Sequence, residues 1–168
     1  MKSAPIPDNE ESRLRALHAL LLLDTPPEER FDRITEFARF EFDVPIALIS
    51  LIDRDRQWFK SATGISECET SRDISFCGHA ILQNEIMIVE DATQDDRFHD
   101  NPLVTGAPYI RFYAGVPLKL KFGVCVGTLC LIDRVPKNLD STDLSILQTL
   151  GNMVVAELES NLTENLGY

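Results

Sequence analysis

Two apolar segments constrain the fold of this chain more than any other feature. Residues 44–53 and 124–133 are almost entirely apolar and rich in β-branched side chains, a pattern typical of strands that are covered on both faces. Both segments contain Leu-Ile-Asp-Arg at or across their end, at residues 51–54 and 131–134. Because nothing around the two copies repeats, we interpret them as two central strands that leave the core in the same way, rather than as a duplicated unit.

Helices are predicted near both ends of the chain. Apolar residues at helical spacing indicate a helix over about residues 11–23, and Thr25 can cap a second helix with Pro26 at its first position. The buried face of this second helix is predicted to carry Phe31, Ile34, Phe37 and Ala38. A last helix, over about residues 141–162, has an apolar seam close to heptad spacing, formed by Leu147, Leu150, Val154 and Leu158.

Further strands are predicted beside the two apolar ones. Residues 57–62 form a strand in which Trp58 and Phe59 must point to opposite faces. Residues 112–120 are predicted to pair with the second apolar segment in a hairpin. Residues 90–109 are polar and irregular, and a connection of that length inside a compact domain is usually functional or mobile.

A polar turn carries most of the chemistry of the sequence. Residues 69–80 place an arginine, a carboxylate, a hydroxyl, a thiol and an imidazole in a loop that is predicted to open into a short helix, capped by Ser75. Such groups are costly to bury without partners. The start of a helix also leaves free backbone N–H groups, which favour an anion or a polar ligand. We therefore predict a small polar-lined pocket at this turn.

Nine side chains are candidates for contact with a ligand: Trp58, Arg72, Asp73, Ser75, Cys77, His79, Asp91, Arg97 and Arg111. Each also has a structural interpretation. Arg72 and Asp73 can pair with neighbours, and Ser75 can act as a helix cap alone. Cys77 and His79 can be satisfied core residues.

The other four candidates are equally open to two interpretations. Trp58 is either an aromatic pocket wall or an ordinary packed side chain. Asp91 and Arg97 belong either to a solvated loop or to a lid over the pocket. Arg111 binds either an anionic group of a ligand or a buried aspartate.

Composition excludes several classes of function. The 168 residues include 16 basic and 27 acidic side chains, a formal charge of −11, which argues against nucleic-acid or anionic-membrane binding. No apolar run approaches the roughly 20 residues that cross a bilayer, and the N-terminus lacks the apolar core of a signal peptide. We expect one cytoplasmic domain over residues 1–168, with a core over about 12–162. The four cysteines should be reduced there, and their spacing predicts no metal site.

Eight segments of the sequence carry a resemblance to a known family: residues 23–26, 31–35, 44–53, 57–61, 75–81, 100–104, 111–118 and 127–133. Together they resemble the GAF domain, over about residues 12–160, in the type found in bacterial signalling proteins ahead of diguanylate cyclase or histidine kinase modules. The resemblance implies an α+β, GAF/PAS-like fold with a central antiparallel sheet of five or six strands. Terminal helices would cover one face, and a ligand pocket would lie under loops and short helices on the other. It names no ligand or cofactor, because GAF domains bind chemically diverse molecules.

The resemblance implies a sensory or regulatory module that binds a small molecule and catalyses no reaction. Closure of residues 90–109 over the ligand would alter the packing of the terminal helices. Those helices would form a homodimer through the seam of the last helix and pass the signal to a diguanylate cyclase or histidine kinase.

An enzyme is the alternative. Free methionine-R-sulfoxide reductases are GAF proteins with three redox cysteines, and Cys68 and Cys77 are similar to two of them in placement. Residues 86–113, where the third is expected, contain no cysteine, so the alternative is a reductase with two cysteines. Covalent bilin attachment through Cys77 is a weaker third hypothesis, because bilin-binding GAF domains usually place the cysteine directly before a histidine and Gly78 intervenes here.

Overall fold

A six-stranded antiparallel sheet forms the centre of the computed structural model, which describes residues 1–165. Its strands are β1 (Ile46–Ile52), β2 (Arg56–Thr63), β3 (Glu69–Ser71), β4 (Met87–Val89), β5 (Phe112–Lys119) and β6 (Cys125–Asp133). They lie in the order β3-β2-β1-β6-β5-β4. The two apolar segments are therefore the neighbouring central strands β1 and β6, and the predicted α+β fold around an antiparallel sheet is confirmed.

Five α-helices surround the sheet in the described residues: α1 (Glu10–Ala19), α2 (Glu29–Glu41), α3 (Phe76–Ala80), α4 (Pro102–Thr105) and α5 (Ser141–Asn165). Ser75 caps α3 as predicted, because its hydroxyl accepts a hydrogen bond from the backbone N–H of Gly78 at 3.0 Å. The predicted cap at Thr25 is wrong. The Thr25 hydroxyl donates to the carbonyl of Leu22 at 2.5 Å, and α2 begins only at Glu29.

The sheet separates two hydrophobic cores, because every residue of β1 and β6 is buried and successive side chains point to opposite faces. On one face, Ala47, Ile49 and Leu51 pack with the apolar sides of α1, α2 and α5. On the other face, Ile46, Leu48 and Ile52 pack with α3 and with the loops around α4. This is the layered arrangement that the two apolar segments required.

The apolar seam of α5 lies inside the first of these cores. Leu147, Leu150, Val154 and Leu158 are all buried against the sheet and the other terminal helices. An apolar stripe at this spacing can pack against the sheet of its own chain or against a second helix. Here it packs against the sheet. Phe37 was predicted to lie on the buried face of α2. It is instead 47% exposed, at the edge of the buried stripe of that helix.

A buried ion triad joins α1 to the sheet and to the polar turn. Glu10 lies between two arginines: Arg13 at 3.0 Å and Arg72 at 2.5 Å. Arg13 also donates to the carbonyl of Ile52 at 2.6 Å, and Arg72 to the carbonyl of Asp53 at 3.1 Å. All three charged residues are less than 9% exposed. The triad therefore fixes α1 to the end of β1 and to the 3₁₀ turn that precedes α3.

We expect Glu10→Gln to destabilise the protein, because it leaves two buried guanidinium groups without their counter-charge. Burial raises the pKa of Glu10, but hydrogen bonds from Arg13 and Arg72 outweigh burial and lower this pKa from 4.5 to about 2. Such a shift corresponds to about 3 kcal/mol of stability at neutral pH. It is fully present above pH 4.5 and is lost as the pH falls towards 2.

Urea denaturation of the wild type and of Glu10→Gln between pH 3 and pH 7 measures this contribution. The difference in free energy of unfolding should be largest at pH 7 and should narrow below pH 4.5. Glu11→Gln is the control, since the Glu11 side chain is 67% exposed and its pair with Arg54 lies at the surface. A difference that stays constant with pH would contradict the assignment to Glu10 ionisation.

Candidate functional site

A cleft opens on the face of the sheet opposite the terminal helices. Its volume is about 680 Å³, within the range of about 300–1,000 Å³ that is usual for small-molecule sites. Its floor is formed by apolar side chains of the central strands, and its walls by the loops after β2 and around α4. The apolar residues that line it are Ile46, Leu48, Phe59, Ile65, Leu103, Ala107, Pro108, Ile110 and Ile132.

One polar atom of a side chain that lines this cleft lacks a hydrogen-bond partner among the described residues. Gln57 is 5% exposed, and its Nε2 donates to Oγ1 of Thr70 at 2.9 Å, across the pairing of β2 with β3. Its Oε1 is buried and accepts no hydrogen bond from the described residues. Buried polar atoms are nearly always paired in proteins, and this oxygen is an exception that lies beneath the surface of the cleft wall.

The polar turn is stabilised by its own contacts. The Ser75 hydroxyl donates to the carbonyl of Arg72 at 2.9 Å in addition to capping α3. Arg72 directs its guanidinium to Glu10 and to backbone carbonyls at the end of β1. Asp73 is exposed, and its N–H donates to the hydroxyl of Ser71 at 3.3 Å. These contacts fix the shape of the turn and use the side chains of Arg72 and Ser75, while Asp73 takes part only through its backbone N–H.

Cys77 lies below the turn in a buried cluster. Its Sγ is 3.1 Å from the hydroxyl of Tyr113, 3.0 Å from that of Thr128 and 3.9 Å from Sγ of Cys130. Burial raises the pKa of Cys77, but hydrogen bonds from these groups and from Ser50 outweigh it and lower the pKa from 9.0 to about 7. The hydrogen bond to Cys77 and burial hold the pKa of Cys130 well above its usual value. The cluster can stabilise a thiolate, but it is enclosed by the core.

Aromatic side chains pack together beneath this turn, where a small polar-lined pocket was predicted. The rings of Phe76 and Phe98 stack with centroids 3.9 Å apart. The rings of His79 and Phe98 pack edge to face with their centroids 4.9 Å apart. Nε2 of His79 is 2.9 Å from the carbonyl oxygen of Lys2. Burial lowers the pKa of His79. Arg97 lies over the other side of Phe98 with its guanidinium 4.9 Å from the ring centroid.

The remaining candidates occupy separate places. Asp91 caps the 3₁₀ turn Ala92–Gln94 by accepting from the N–H of Thr93 at 3.0 Å. Arg111 donates to the carbonyls of Val104 and Ile110, both at 3.0 Å, and so braces the loop that forms one wall of the cleft. Trp58 packs in the core on the helix face of the sheet.

None of the nine candidates lines the cleft, and the polar residues that do were not singled out from the sequence. The signal for Gln57 was present in the strand pattern. Gln57 and Phe59 are two residues apart on β2, so they share a face, and that face is opposite to the one occupied by Trp58. The sequence could therefore have placed Gln57 beside the pocket once the face of Phe59 was known.

Two other kinds of site find no support in the described part of the chain. Residues 1–165 contain no group of histidine, cysteine and acidic side chains that could hold a metal ion. No helix within them is long and apolar enough to cross a bilayer.

A central antiparallel sheet, with helices on one face and a cleft under loops on the other, defines a small α+β domain of the GAF/PAS-like class. The chain belongs to the GAF family, whose model matches residues 26–158. It is also 42% identical over 166 residues to the cyclic di-GMP phosphodiesterase PA2567 of Pseudomonas aeruginosa. The match covers 98% of this chain but 28% of that protein, so the chain spans less than a third of its relative's length.

Solved structures agree with this fold. The GAF domain of a phosphoenolpyruvate-protein phosphotransferase from Acinetobacter has a TM-score of 0.64 at 17% identity, over 93% of this chain and 97% of the other. The type II free methionine-R-sulfoxide reductase from Thermoplasma acidophilum also has a TM-score of 0.64, at 12% identity, over 80% and 91%. At these identities the likeness establishes the fold alone.

Proposed function

We propose that this GAF domain is a regulatory module of bacterial signal transduction that binds a small molecule in the cleft and catalyses no reaction. The observation that carries the proposal is the cleft itself, which is about 680 Å³ in volume and lies between the central strands and the loops around α4. Most of the side chains that line it are apolar, and a ligand that covered them would gain the free energy of burying apolar surface.

The architecture connects the cleft to the terminal helices through packed elements, which supports transmission of a ligand-induced change between them. The wall that contains α4 continues through Arg111 into β5, and β5 packs against α5 on the opposite face. The contact is close: a Cβ added at Gly151 of α5 would lie 2.6 Å from Cγ1 of Val116 in β5. Ordering of the wall around a ligand would thus change how α5 lies on the sheet.

The effector in this proposal is a signalling module attached to, or associated with, the domain. The name of the Pseudomonas relative supports a module that acts on cyclic di-GMP. A diguanylate cyclase or a histidine kinase is the effector that the sequence resemblance implies. We also propose a cytoplasmic location, in keeping with the four unpaired cysteines.

Leu103→Trp tests the cleft, because it places an indole where a side chain of α4 lines the wall. Thr105→Trp is the matched control, since Thr105 lies exposed on the same helix and does not line the cleft. We expect a library of apolar fragments to yield binders that shift the amide resonances of cleft residues in wild-type protein. Leu103→Trp should weaken these binders at least tenfold, and Thr105→Trp should not. Binders that are unaffected by Leu103→Trp would contradict the proposed site.

We further propose a homodimer through the outer faces of the terminal helices, since the seam of α5 is used within the chain. Phe37 and Met153 are 47% and 45% exposed and line a shared groove with Ile146. Phe40, on the same helix as Phe37, is 83% exposed. Apolar side chains that cluster on a surface are typical of an interaction site.

Met153→Glu should therefore raise the dissociation constant of the dimer at least tenfold in sedimentation equilibrium, because it introduces a charge into an apolar contact. Phe122→Glu is the control, since Phe122 is 91% exposed in the β5–β6 turn, away from the helices. A wild-type chain that sediments as a monomer at high concentration would refute the dimer. That result would not contradict the proposal that a ligand binds in the cleft.

The structure gives the reductase alternative little support beyond the shared fold. Cys68 is exposed in the loop between β2 and β3, where its carbonyl accepts from the N–H of Phe59 at 3.0 Å. Cys77 is enclosed in the core, where Cys130 and not Cys68 is its thiol neighbour. A two-cysteine mechanism needs the thiolate of one cysteine to attack the sulfur of the other, and the burial of Cys77 in the core does not favour attack by the exposed Cys68.

We expect no thioredoxin-coupled reduction of free methionine sulfoxide by this protein. In parallel, a thiol reagent should label Cys68 alone in the native state, because the other three cysteines are buried. Cys68→Ser should abolish the native labelling, and unfolding in urea should expose the remaining thiols. Turnover that is lost in Cys77→Ser would establish the reductase instead.

A further inference from the structure

We propose that the cleft binds a free aliphatic carboxylate, with the chain between its two apolar walls and the carboxylate on the guanidinium of Arg134. The inference rests on the proposed function, since it concerns the same cleft. It adds the shape of the ligand, its charge and the end of the cleft at which that charge lies.

The shape of the ligand follows from the length of the cleft. The residues that line it extend along the central strands from Ile46, which pairs with Ile132, to Gln57, which pairs with Ile52. The two ends are therefore six residues apart on β1, a distance of roughly 20 Å at about 3.3 Å per residue. A volume of about 680 Å³ spread over that length describes a narrow groove, which an extended chain follows better than a compact ring system.

The apolar character of the ligand follows from the walls. Ile65 belongs to the wall after β2, and Leu103, Ala107 and Pro108 belong to the wall around α4. These four residues keep part of their surface exposed, whereas the strand residues of the floor are buried. Exposed aliphatic surface gains free energy when a hydrocarbon chain removes it from water, so binding should strengthen with each methylene of the ligand.

The charge of the ligand follows from Arg134, which is exposed at one end of the cleft, two residues beyond Ile132. Its backbone N–H donates to Oδ1 of Asp133 at 2.7 Å, but its guanidinium forms no ion pair or hydrogen bond within residues 1–165. The Asp133 carboxylate faces backbone N–H groups and Lys137 instead. Since the N–H groups of a guanidinium match the two oxygens of a carboxylate, Arg134 is suited to bind an anionic head group.

Glu67 favours one orientation of the ligand. It is the other charged residue that lines the cleft, and it precedes Cys68, whose carbonyl accepts from the N–H of Phe59 at 3.0 Å. The backbone of Glu67 is therefore level with the middle of β2, away from the end at which Arg134 lies. A carboxylate beside Glu67 would be repelled, so the chain of the ligand points from Arg134 along the strands.

Decanoate and decanamide form a matched pair of probes, because they share a chain and differ in the charge of the head group. We expect decanoate to shift amide resonances of cleft residues in the wild-type protein and to bind about tenfold more tightly than octanoate. Arg134→Gln should weaken decanoate about fivefold, near the upper limit for an ion pair at a protein surface, and should leave decanamide unchanged. Arg39→Gln is the control, since it removes the same charge from an exposed position outside the cleft and should change neither affinity.

Two further variants locate the chain. Leu103→Trp should weaken decanoate at least tenfold, whereas Met153→Glu, in the groove of the terminal helices, should not. An equal effect of Arg134→Gln on decanoate and decanamide would overturn the assignment of the carboxylate to Arg134. Equal affinity of octanoate and decanoate would overturn the aliphatic chain.

Failure of this inference can be told apart from failure of the proposed function. If decanoate does not shift the cleft resonances, the ligand class is wrong. The fragment binders tested with Leu103→Trp still decide whether the cleft is a binding site. If those binders are also absent, the proposed function is wrong as well.

Discussion

The buried triad of Glu10, Arg13 and Arg72 is the interaction on which the arrangement of this domain depends. It lies where α1, the end of β1 and the polar turn meet, and each of these elements belongs to a different layer. Because a buried charge without its partner is strongly destabilising, none of the three elements can move away without a large free-energy penalty. The turn is linked onwards, since the carbonyl of Ile74 accepts from Nδ2 of Asn101 at 3.0 Å. Asn101 in turn caps α4, whose Leu103 lines the cleft.

The chemistry of the polar turn and that of the cleft differ in one respect, which is whether each polar group has a partner. In the turn, Arg72, Ser75 and Cys77 are paired with groups of the same chain. Their burial is therefore already compensated, and a ligand would have to displace existing bonds. In the cleft, Gln57 keeps an acceptor that nothing in the described chain satisfies. A concentration of reactive side chains in a sequence is thus a weak sign of a binding site, because the fold can pair those side chains with groups of the same chain.

The sequence predicted the layers of the fold well because those depend on local pattern. The uninterrupted apolar run of β1 required cover on both faces, and Ser75 had both the residue type and the position of a helix cap. It could not predict which partner each group would find. Arg72 pairs with Glu10, which lies 62 residues away, and no local rule connects them. The seam of α5 was ambiguous for the same reason, since a helical stripe fits a sheet of its own chain as well as a second copy. Gln57 was not singled out, because its place on the cleft face follows only once the face of Phe59 is known.

The wall of the cleft and α5 are connected by packed elements. The wall of the cleft is braced by Arg111, which donates to the carbonyl of Val104 and leads directly into β5. On the other face, β5 meets α5 where Gly151 allows Val116 to approach so closely that even a methyl group would clash. Protein interiors packed this tightly transmit displacement because they have little free volume in which to absorb it. In the mechanism that we propose, a ligand that ordered the wall would act on α5, and the exposed side chain of Met153 on that helix lies two residues beyond the contact. The surface proposed for dimerisation and the proposed binding site thus belong to one mechanical unit, in which the sheet is the rigid element between them.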